Sequence, residues 1–173
     1  MPLRRLIEQH LLENWSRLFG YAVVLAGEPE AARDLLQQSA LRALATTSPP
    51  RNGQSARAWL FRILRNTWID QHRRDAVRTA EPIIDPADHE RWHFDDRLIA
   101  ELTVRAGLAR LEPLHREVIE LVDIFGFRYG EAAEILGVPV GTVMSRLSRA
   151  RLALLDAIGG NVHSLAAARR RQS

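Results

Sequence analysis

Residues 129–151, YGEAAEILGVPVGTVMSRLSRAR, carry the clearest chemical signal in the chain. A helix-turn-helix needs a small residue where its helices touch, a glycine able to adopt positive φ in the turn, and an apolar anchor on the second helix. Ala133, Gly137 and Val143 stand at those offsets. The spacing therefore predicts a second helix whose outer face can read base edges in the major groove of DNA.

Five side chains are expected on or beside the exposed face of that second helix, since Val143 and Leu147 would pack inward. The guanidinium group offers a planar fork of donors that suits phosphates and guanine. The alternative is a turn between two core helices with no DNA involved, and the exposed arginines argue against it. The candidate DNA-contacting residues are Thr142, Met144, Ser145, Arg146 and Arg149.

A second pattern, His89-Glu90-Arg91-Trp92-His93, fits the H-E-x-x-H motif of zinc proteases. In that motif two histidines one helical turn apart bind zinc and the glutamate activates water. Here it lies in a segment rich in proline and aspartate, and a third ligand would have to come from Glu101, Glu112 or another acid. We therefore predict no metal site, no catalytic residue and no cofactor, and keep a zinc hydrolase as a minor alternative.

The apolar residues recur with helical periodicity, and no stretch shows the sustained alternation expected of a strand. The sequence predicts an all-α fold whose helices cover about 3–26, 29–45, 55–78, 95–110, 113–126, 129–136 and 140–157. In the first three helices, the predicted core positions are Leu3, Leu6, Ile7, Leu11, Trp15, Ala32, Leu35, Leu36, Leu41, Leu44, Trp59, Leu60, Ile63, Leu64 and Ile69.

Residues 80–94 contain two prolines and no periodicity, which predicts a linker between two small helical domains, 1–79 and 95–158, with a tail at 159–173. Charge follows the same division. Residues 51–79 carry seven arginines against two acids, residues 81–96 carry six acids against one arginine, and residues 140–173 carry six arginines against one acid. Two basic blocks separated by an acidic linker indicate two contact surfaces for a polyanion.

Composition excludes several other classes of protein. A hydrophobic content of 46% is enough for packed cores. No apolar run approaches the roughly 20 residues that span a bilayer, and the first residues lack the apolar core of a signal peptide. The absence of cysteine excludes disulfides and thiolate-bound metals. We expect a soluble cytoplasmic protein with no membrane insertion.

The stretch LEPLHREVIELVDIFGFRYGEAAEILGVPVGTVMSRLSRARLAL resembles region 4 of extracytoplasmic-function (ECF) sigma factors, members of the sigma-70 family. Upstream, EAARDLLQQSALRAL and ARAWLFRILRNTWIDQHRR resemble two helices of region 2 in the same family. Three such matches in the family's order are far more specific than any one of them. The two predicted domains are thus similar to sigma regions 2 and 4.

The resemblance implies a factor, not itself an enzyme, that binds promoter DNA and the β′ and β subunits of core RNA polymerase. Its first domain would recognise and open the −10 element, and its second would dock in the −35 major groove. It implies an anti-sigma factor as a further partner and no small-molecule substrate. The implied polymerase contacts are Asp34, Leu35, Gln37 and Gln38. The implied −10 contacts are the loop 49–55 and Arg62, Arg65, Asn66, Asp70, Arg73 and Arg74.

Some positions depart from the family's pattern. Gln38 replaces the usual acid, Met144 stands where many members carry a cation, and Gly130 and Ala132 replace an acid and a branched apolar residue.

Two rival functions stay open: a helix-turn-helix regulator that acts without polymerase, and a sigma mimic that titrates an anti-sigma factor.

The two tryptophans of the third helix could either pack in a core or stack on a base. Trp59 has Leu60 as its neighbour and Leu64 on the same helix, so helical spacing favours core packing for it. For Trp68 the spacing leaves the two interpretations about equal.

Overall fold

The structure is a computed structural model that describes residues 2–50, 52–78 and 104–170. Within these ranges every regular element is a helix, which confirms the predicted all-α class. The predicted linker 80–94, the H-E-x-x-H motif and the first part of the helix predicted at 95–110 lie outside the described residues. The predicted domain limits therefore stay predictions.

Three long helices make up the N-terminal part: α1 (Pro2–Ala26), α2 (Pro29–Leu44) and α3 (Gly53–Arg78). Gly27 ends α1 with a φ of 78°, and the proline that follows opens α2, where its missing N–H is harmless. The backbone N–H of Ser55 donates to the side-chain oxygen of Asn52 at 2.7 Å. Because this cap satisfies the first turn, α3 begins at Gly53, slightly before the predicted start.

The described residues form two compact units, of which the first holds α1, α2 and α3 together with residues 130–138. Its core is aromatic and aliphatic: the rings of Tyr21 and Phe61 stack with centroids 5.0 Å apart at 23°. The other large apolar side chains that are almost completely buried here include Ile7, Leu18, Leu35, Leu64 and Ile135.

Several predicted core positions of the first unit are wrong. Trp15 is 42% exposed and Leu41 is 68% exposed. On α1 the buried stripe runs through Ile7, Leu11 and Leu18. Trp15 lies about 40° around the helix from Leu11 and about 60° from Leu18, at the margin of that stripe. On α3 the core side is formed by residues such as Leu60 and Leu64, whereas Trp59, Ile63 and Ile69 are only partly buried.

The second unit holds residues 104–129 and 139–170. Residues 104–109 are helical (α4), and this unit also holds α5 (Pro113–Ile119), a π-helix (Glu120–Ile124) and α7 (Val140–Arg170). Along the chain, α6 (Tyr129–Leu136) lies between the π-helix and α7, and from Gly130 on it belongs to the first unit. Arg116 donates to the carbonyl oxygens of Leu108 and Ala109 at 2.9 and 2.7 Å. These bonds satisfy carbonyls at the end of α4, as basic side chains commonly do.

Two predicted helix ends differ from the structure. The helix predicted at 113–126 changes to π geometry at Glu120, where the N–H of Phe125 donates to the Glu120 carbonyl at 2.8 Å, and Gly126 then turns with a φ of 70°. The helix predicted to end at 157 continues to Arg170. Gly159 and Gly160 do not stop it, because the alanine-rich segment beyond them has a high helix propensity. None of the helices in the described part of the chain is long and apolar enough to cross a membrane.

Candidate nucleic-acid interface

The turn between α6 and α7 has the geometry that its sequence predicts. Gly137 has a φ of +67°, and the N–H of Val138 donates to the carbonyl of Ala133 at 3.1 Å, which closes the end of α6. The Pro139 carbonyl then accepts a bond of 2.9 Å from the N–H of Thr142 and begins α7. A side chain larger than glycine would be strained at 137 because of its positive φ.

Buried side chains fix the rotation of α7 about its axis. Val143, Leu147 and Ala150 are almost fully buried and occupy one side of the helix. The predicted −35 residues consequently reach the surface: Met144, Ser145 and Arg149 are exposed, and Thr142 and Arg146 are half-buried. The described helix thus presents two guanidinium groups, two hydroxyls and a thioether near its N-terminal end.

Arg151, the last residue of the same stretch, has a different role. It makes a bidentate ion pair with Asp123 of the π-helix, with Nη2 to Oδ1 at 2.6 Å and Nε to Oδ2 at 3.1 Å. The hydrogen bonds to Asp123 raise the pKa of Arg151, and Tyr129 adds to the effect. Its guanidinium therefore holds α7 against the π-helix. Sequence reasoning missed this pair because its members are distant along the chain.

An open pocket of about 560 Å³ lies between α2 and α3 in the first unit. Three of the predicted −10 residues, Asn66, Asp70 and Arg73, line it, and Arg62, Arg65 and Arg74 are not among its lining residues. The other residues of the pocket wall were not in the predicted set. They are Arg42, Thr46, Trp59, Ile63 and Ile69.

A chain of hydrogen bonds orders one wall of this pocket. The hydroxyl of Thr67 donates to the carbonyl of Ile63 at 2.8 Å, and Arg42 Nη1 donates to the Thr67 oxygen at 3.3 Å. Arg42 Nη1 also donates to Asp70 Oδ2 at 2.8 Å. The pocket wall therefore holds a cation and an anion side by side, with the cation oriented by a buried threonine.

The predicted polymerase contacts on α2 divide into exposed and buried residues. Asp34, Gln37 and Gln38 are exposed, and Gln38 Oε1 accepts a bond of 2.9 Å from Gln71 of α3. Leu35 is 1% exposed and packs in the core, and its predicted contact with the polymerase stays a prediction.

The two tryptophans of α3 also differ in environment. Trp59 is only partly buried and lines the pocket, so its predicted core packing is only partial. The ring of Trp68 lies 4.3 Å from that of His72, and its buried Nε1 has no hydrogen-bond partner within the described residues. Among those same residues, no cluster of histidine, aspartate and glutamate side chains could hold a metal ion.

Comparison with known proteins identifies the family of the chain. The family described as Sigma-70 region 2 matches residues 7–78, and Sigma-70, region 4 matches residues 101–154. The ECF RNA polymerase sigma factor EcfG of Rhodopseudomonas palustris is 35% identical over 159 residues, which cover 87% of this chain and 84% of that protein. The ECF RNA polymerase sigma factor SigL of Mycobacterium tuberculosis is 32% identical over 161 residues, covering 88% and 86% respectively.

Solved structures give the same result. The sigma factor RpoE of Bartonella quintana, determined in complex with the anti-sigma factor NepR, superposes with a TM-score of 0.68 at 30% identity and covers 88% of this chain and 96% of that one. CnrH, determined with the cytosolic domain of CnrY, gives a TM-score of 0.62 at 25% identity and covers 91% and 97%. Both sigma regions match in order, and full-length relatives match across them: the chain belongs to the ECF group of the sigma-70 family, the alternative sigma factors of RNA polymerase.

Proposed function

We propose that this ECF sigma factor binds a promoter at two places, the −35 and the −10 element, while it is bound to core RNA polymerase. The observation that carries the proposal is the rotation of α7, which buries Val143 and Leu147 and presents Arg146 and Arg149 at the surface. A helix of this kind, preceded by a tight turn, can enter the major groove with its N-terminal residues toward the bases.

The −35 contacts are assigned to the outward residues of α7. Arg146 and Arg149 can donate to guanine or phosphate, and Ser145 and Thr142 offer hydroxyls. Met144 contributes an apolar contact in place of the cation that many family members carry. Its side chain is 53% exposed, so it is available for such a contact.

The −10 contacts are assigned to α3, the loop 49–55 and the pocket between α2 and α3. An unstacked base of the non-template strand fits a pocket of this size, since small-molecule pockets range over roughly 300–1,000 Å³. Asn66, Asp70 and Arg73 would face the base or its phosphate, and Trp59 supplies an aromatic surface at the same place. Arg62, Arg65 and Arg74 would contact the strand's phosphates outside the pocket.

The exposed polar residues of α2, Asp34, Gln37 and Gln38, are assigned to the β′ subunit of the polymerase. An anti-sigma factor is a further proposed partner, because the similar proteins RpoE and CnrH were each solved with a protein bound, NepR and CnrY. Sigma factors are not enzymes, and we propose no catalytic activity for this one. It would act in the cytoplasm, where the polymerase transcribes.

The direct test is run-off transcription with purified core polymerase on a library of genomic promoters. The proposal expects the chain to co-migrate with core polymerase and to direct it to a defined set of start sites. A regulator that acts without polymerase would bind duplex DNA by itself, and core polymerase would then start at no defined site. Failure to associate with core polymerase, in the absence of any inhibitor, would overturn the proposal.

Replacing Arg149 by alanine tests the −35 assignment. If its guanidinium reads a base, we expect a loss of about 1–3 kcal/mol confined to one base pair. If it contacts phosphate alone, binding should weaken evenly across sequences and the salt slope should fall by about one. Promoter binding by the holoenzyme, measured over a series of single base-pair changes and salt concentrations, separates the two. Unchanged binding in both series would remove Arg149 from the interface.

A further inference from the structure

The sulfur content of the chain draws attention to one side chain of α7. The sequence contains no cysteine and two methionines, Met1 and Met144. Met1 is the first residue and lies outside the described part of the chain. Met144 lies in the second turn of α7, among the side chains assigned to the −35 groove. Any sulfur chemistry at that surface therefore belongs to a single thioether.

The thioether of Met144 is open to solvent. Its side chain is 53% exposed, and long side chains of a helix lean toward the helix N-terminus, over the residues three and four positions earlier. Here these residues are Gly141 and Val140. Gly141 carries no side chain, and even a Cβ atom at that position would meet no atom within 4 Å. Val140 is itself 44% exposed, so small oxidants in water can reach the sulfur from this side.

A peroxide converts such a thioether to a sulfoxide in one step. The sulfur lone pair attacks one oxygen of the peroxide, the S–O bond forms as the O–O bond breaks, and the other oxygen leaves as water. The sulfur is oxidised by two electrons and the peroxide is reduced by two. The product is methionine sulfoxide, which reductases convert back to methionine.

The sulfoxide is a poor substitute for the thioether at a DNA surface. Oxidation turns a flexible apolar side chain into a polar one with a strong acceptor oxygen. At an apolar contact with a base, this oxygen would lose its water without gaining a donor, which is unfavourable. Its partial negative charge would also be repelled by the phosphates that line the groove. Because Met144 lies on the surface of α7, the fold itself should not change.

We propose that Met144 is a reversible oxidation site within the −35 surface, and that its conversion to the sulfoxide by a peroxide weakens promoter binding. The inference rests on the proposed function, since it assumes that α7 enters the −35 groove. With no cysteine in the chain, this thioether is the group through which peroxide would act on the −35 contact.

The experiment treats the full-length chain with hydrogen peroxide, removes the peroxide, and then adds untreated core polymerase to form the holoenzyme. Peptide mass mapping measures the gain of one oxygen atom at Met144. We expect oxidation to weaken binding to a promoter about tenfold, as for an unpaired polar group placed at an apolar contact. Methionine sulfoxide reductase with a dithiol should restore binding. A promoter fragment that lacks the −35 element should bind equally well before and after treatment.

Two variants separate the effect of Met144 from general damage. Met144→Leu keeps an apolar side chain of similar size without the sulfur. Whatever its own affinity, its binding to the promoter should be the same before and after treatment. Adding Leu12→Met to this variant places a thioether on α1 at a position that is 76% exposed and carries no assigned contact. That methionine should be oxidised and promoter binding should again stay unchanged. Circular dichroism checks that the helices are retained.

The outcomes distinguish this inference from the function on which it rests. The inference is wrong if Met144 gains oxygen and promoter binding does not change, or if Met144→Leu loses binding on treatment as the parent does. It is also wrong if Met144 resists an exposure that oxidises the methionine introduced at position 12. If the untreated holoenzyme binds no promoter through a −35 element, the −35 assignment itself fails.

Discussion

Replacing Leu64 by alanine is expected to lower the free energy of unfolding of the first unit by about 2–5 kcal/mol. Leu64 is fully buried on α3, in the same core as the stacked pair Tyr21 and Phe61. Removing its branched end takes apolar surface out of a close-packed interior and leaves a cavity that the three helices can fill only in part. Urea unfolding followed by circular dichroism measures the loss.

Leu41→Ala is the matched control, because it removes the same atoms from α2. Periodicity placed both leucines in the core, but Leu41 is 68% exposed. We expect a change within about 0.5 kcal/mol, as for most surface substitutions. Equal losses for the two variants would mean that Leu41 is buried in solution, contrary to its exposure in the structure.

The second large effect is expected at Glu120, in the first turn of the π-helix. Its side chain is 5% exposed, and Oε2 has no hydrogen-bond partner within the described residues. Burial raises the pKa of Glu120 to about 8, with an opposing contribution from Arg116 and a smaller raising one from Glu117. The folded protein therefore keeps a neutral carboxyl group here at neutral pH.

The raised pKa makes stability depend on pH in a definite direction. Unfolded, the carboxyl group has its ordinary pKa of 4.5, so between about pH 5 and 8 the folded state binds the extra proton and stability falls as pH rises. The loss approaches about 1.4 kcal/mol per pH unit across that range and ends above the folded pKa. Glu120→Gln keeps the shape without the titration, so its stability relative to the parent should grow steadily over the same range.

Unfolding curves of the parent, Glu120→Gln and Glu112→Gln, taken from pH 5 to 9, test this expectation. Glu112 is exposed in the same unit, and its side chain makes no cap hydrogen bond at the start of α5. Its variant should follow the parent at every pH. Parallel curves for the parent and Glu120→Gln would show that water or a relaxed side chain solvates the Glu120 carboxylate.

Local sequence was sufficient for the parts of this protein whose physics is local. The turn between α6 and α7 follows from Gly137, because glycine is the one residue type in the turn 137–139 that accepts a φ of +67° without strain. The start of α2 follows from Pro29, which cannot donate and fits the first helical position. The outward placement of Met144, Ser145 and Arg149 follows from a buried stripe that repeats at the helical period.

Helical periodicity predicts burial wrongly where an apolar residue lies at the margin of a buried stripe. Trp15 and Leu41 are apolar residues of the types that commonly lie in cores. They face solvent because the neighbouring helices do not cover them. Trp59 lies on the core helix α3 and still lines the pocket. Leu35, which the resemblance placed at the polymerase, is buried. In each case the burial of the side chain depends on which part of its helix the neighbouring helices cover. The periodicity of one helix alone does not give this information.

By itself, then, the sequence determined the all-α class, most helix limits and the family, because these depend on propensity, periodicity and short motifs. Only the tertiary structure joined Arg42 to Asp70, Gln38 to Gln71 and Asp123 to Arg151, which are 28, 33 and 28 residues apart along the chain. Such pairs form where two helices cross. The crossing is set by the packing of whole side-chain surfaces, so the residues that meet there cannot be read from either helix alone.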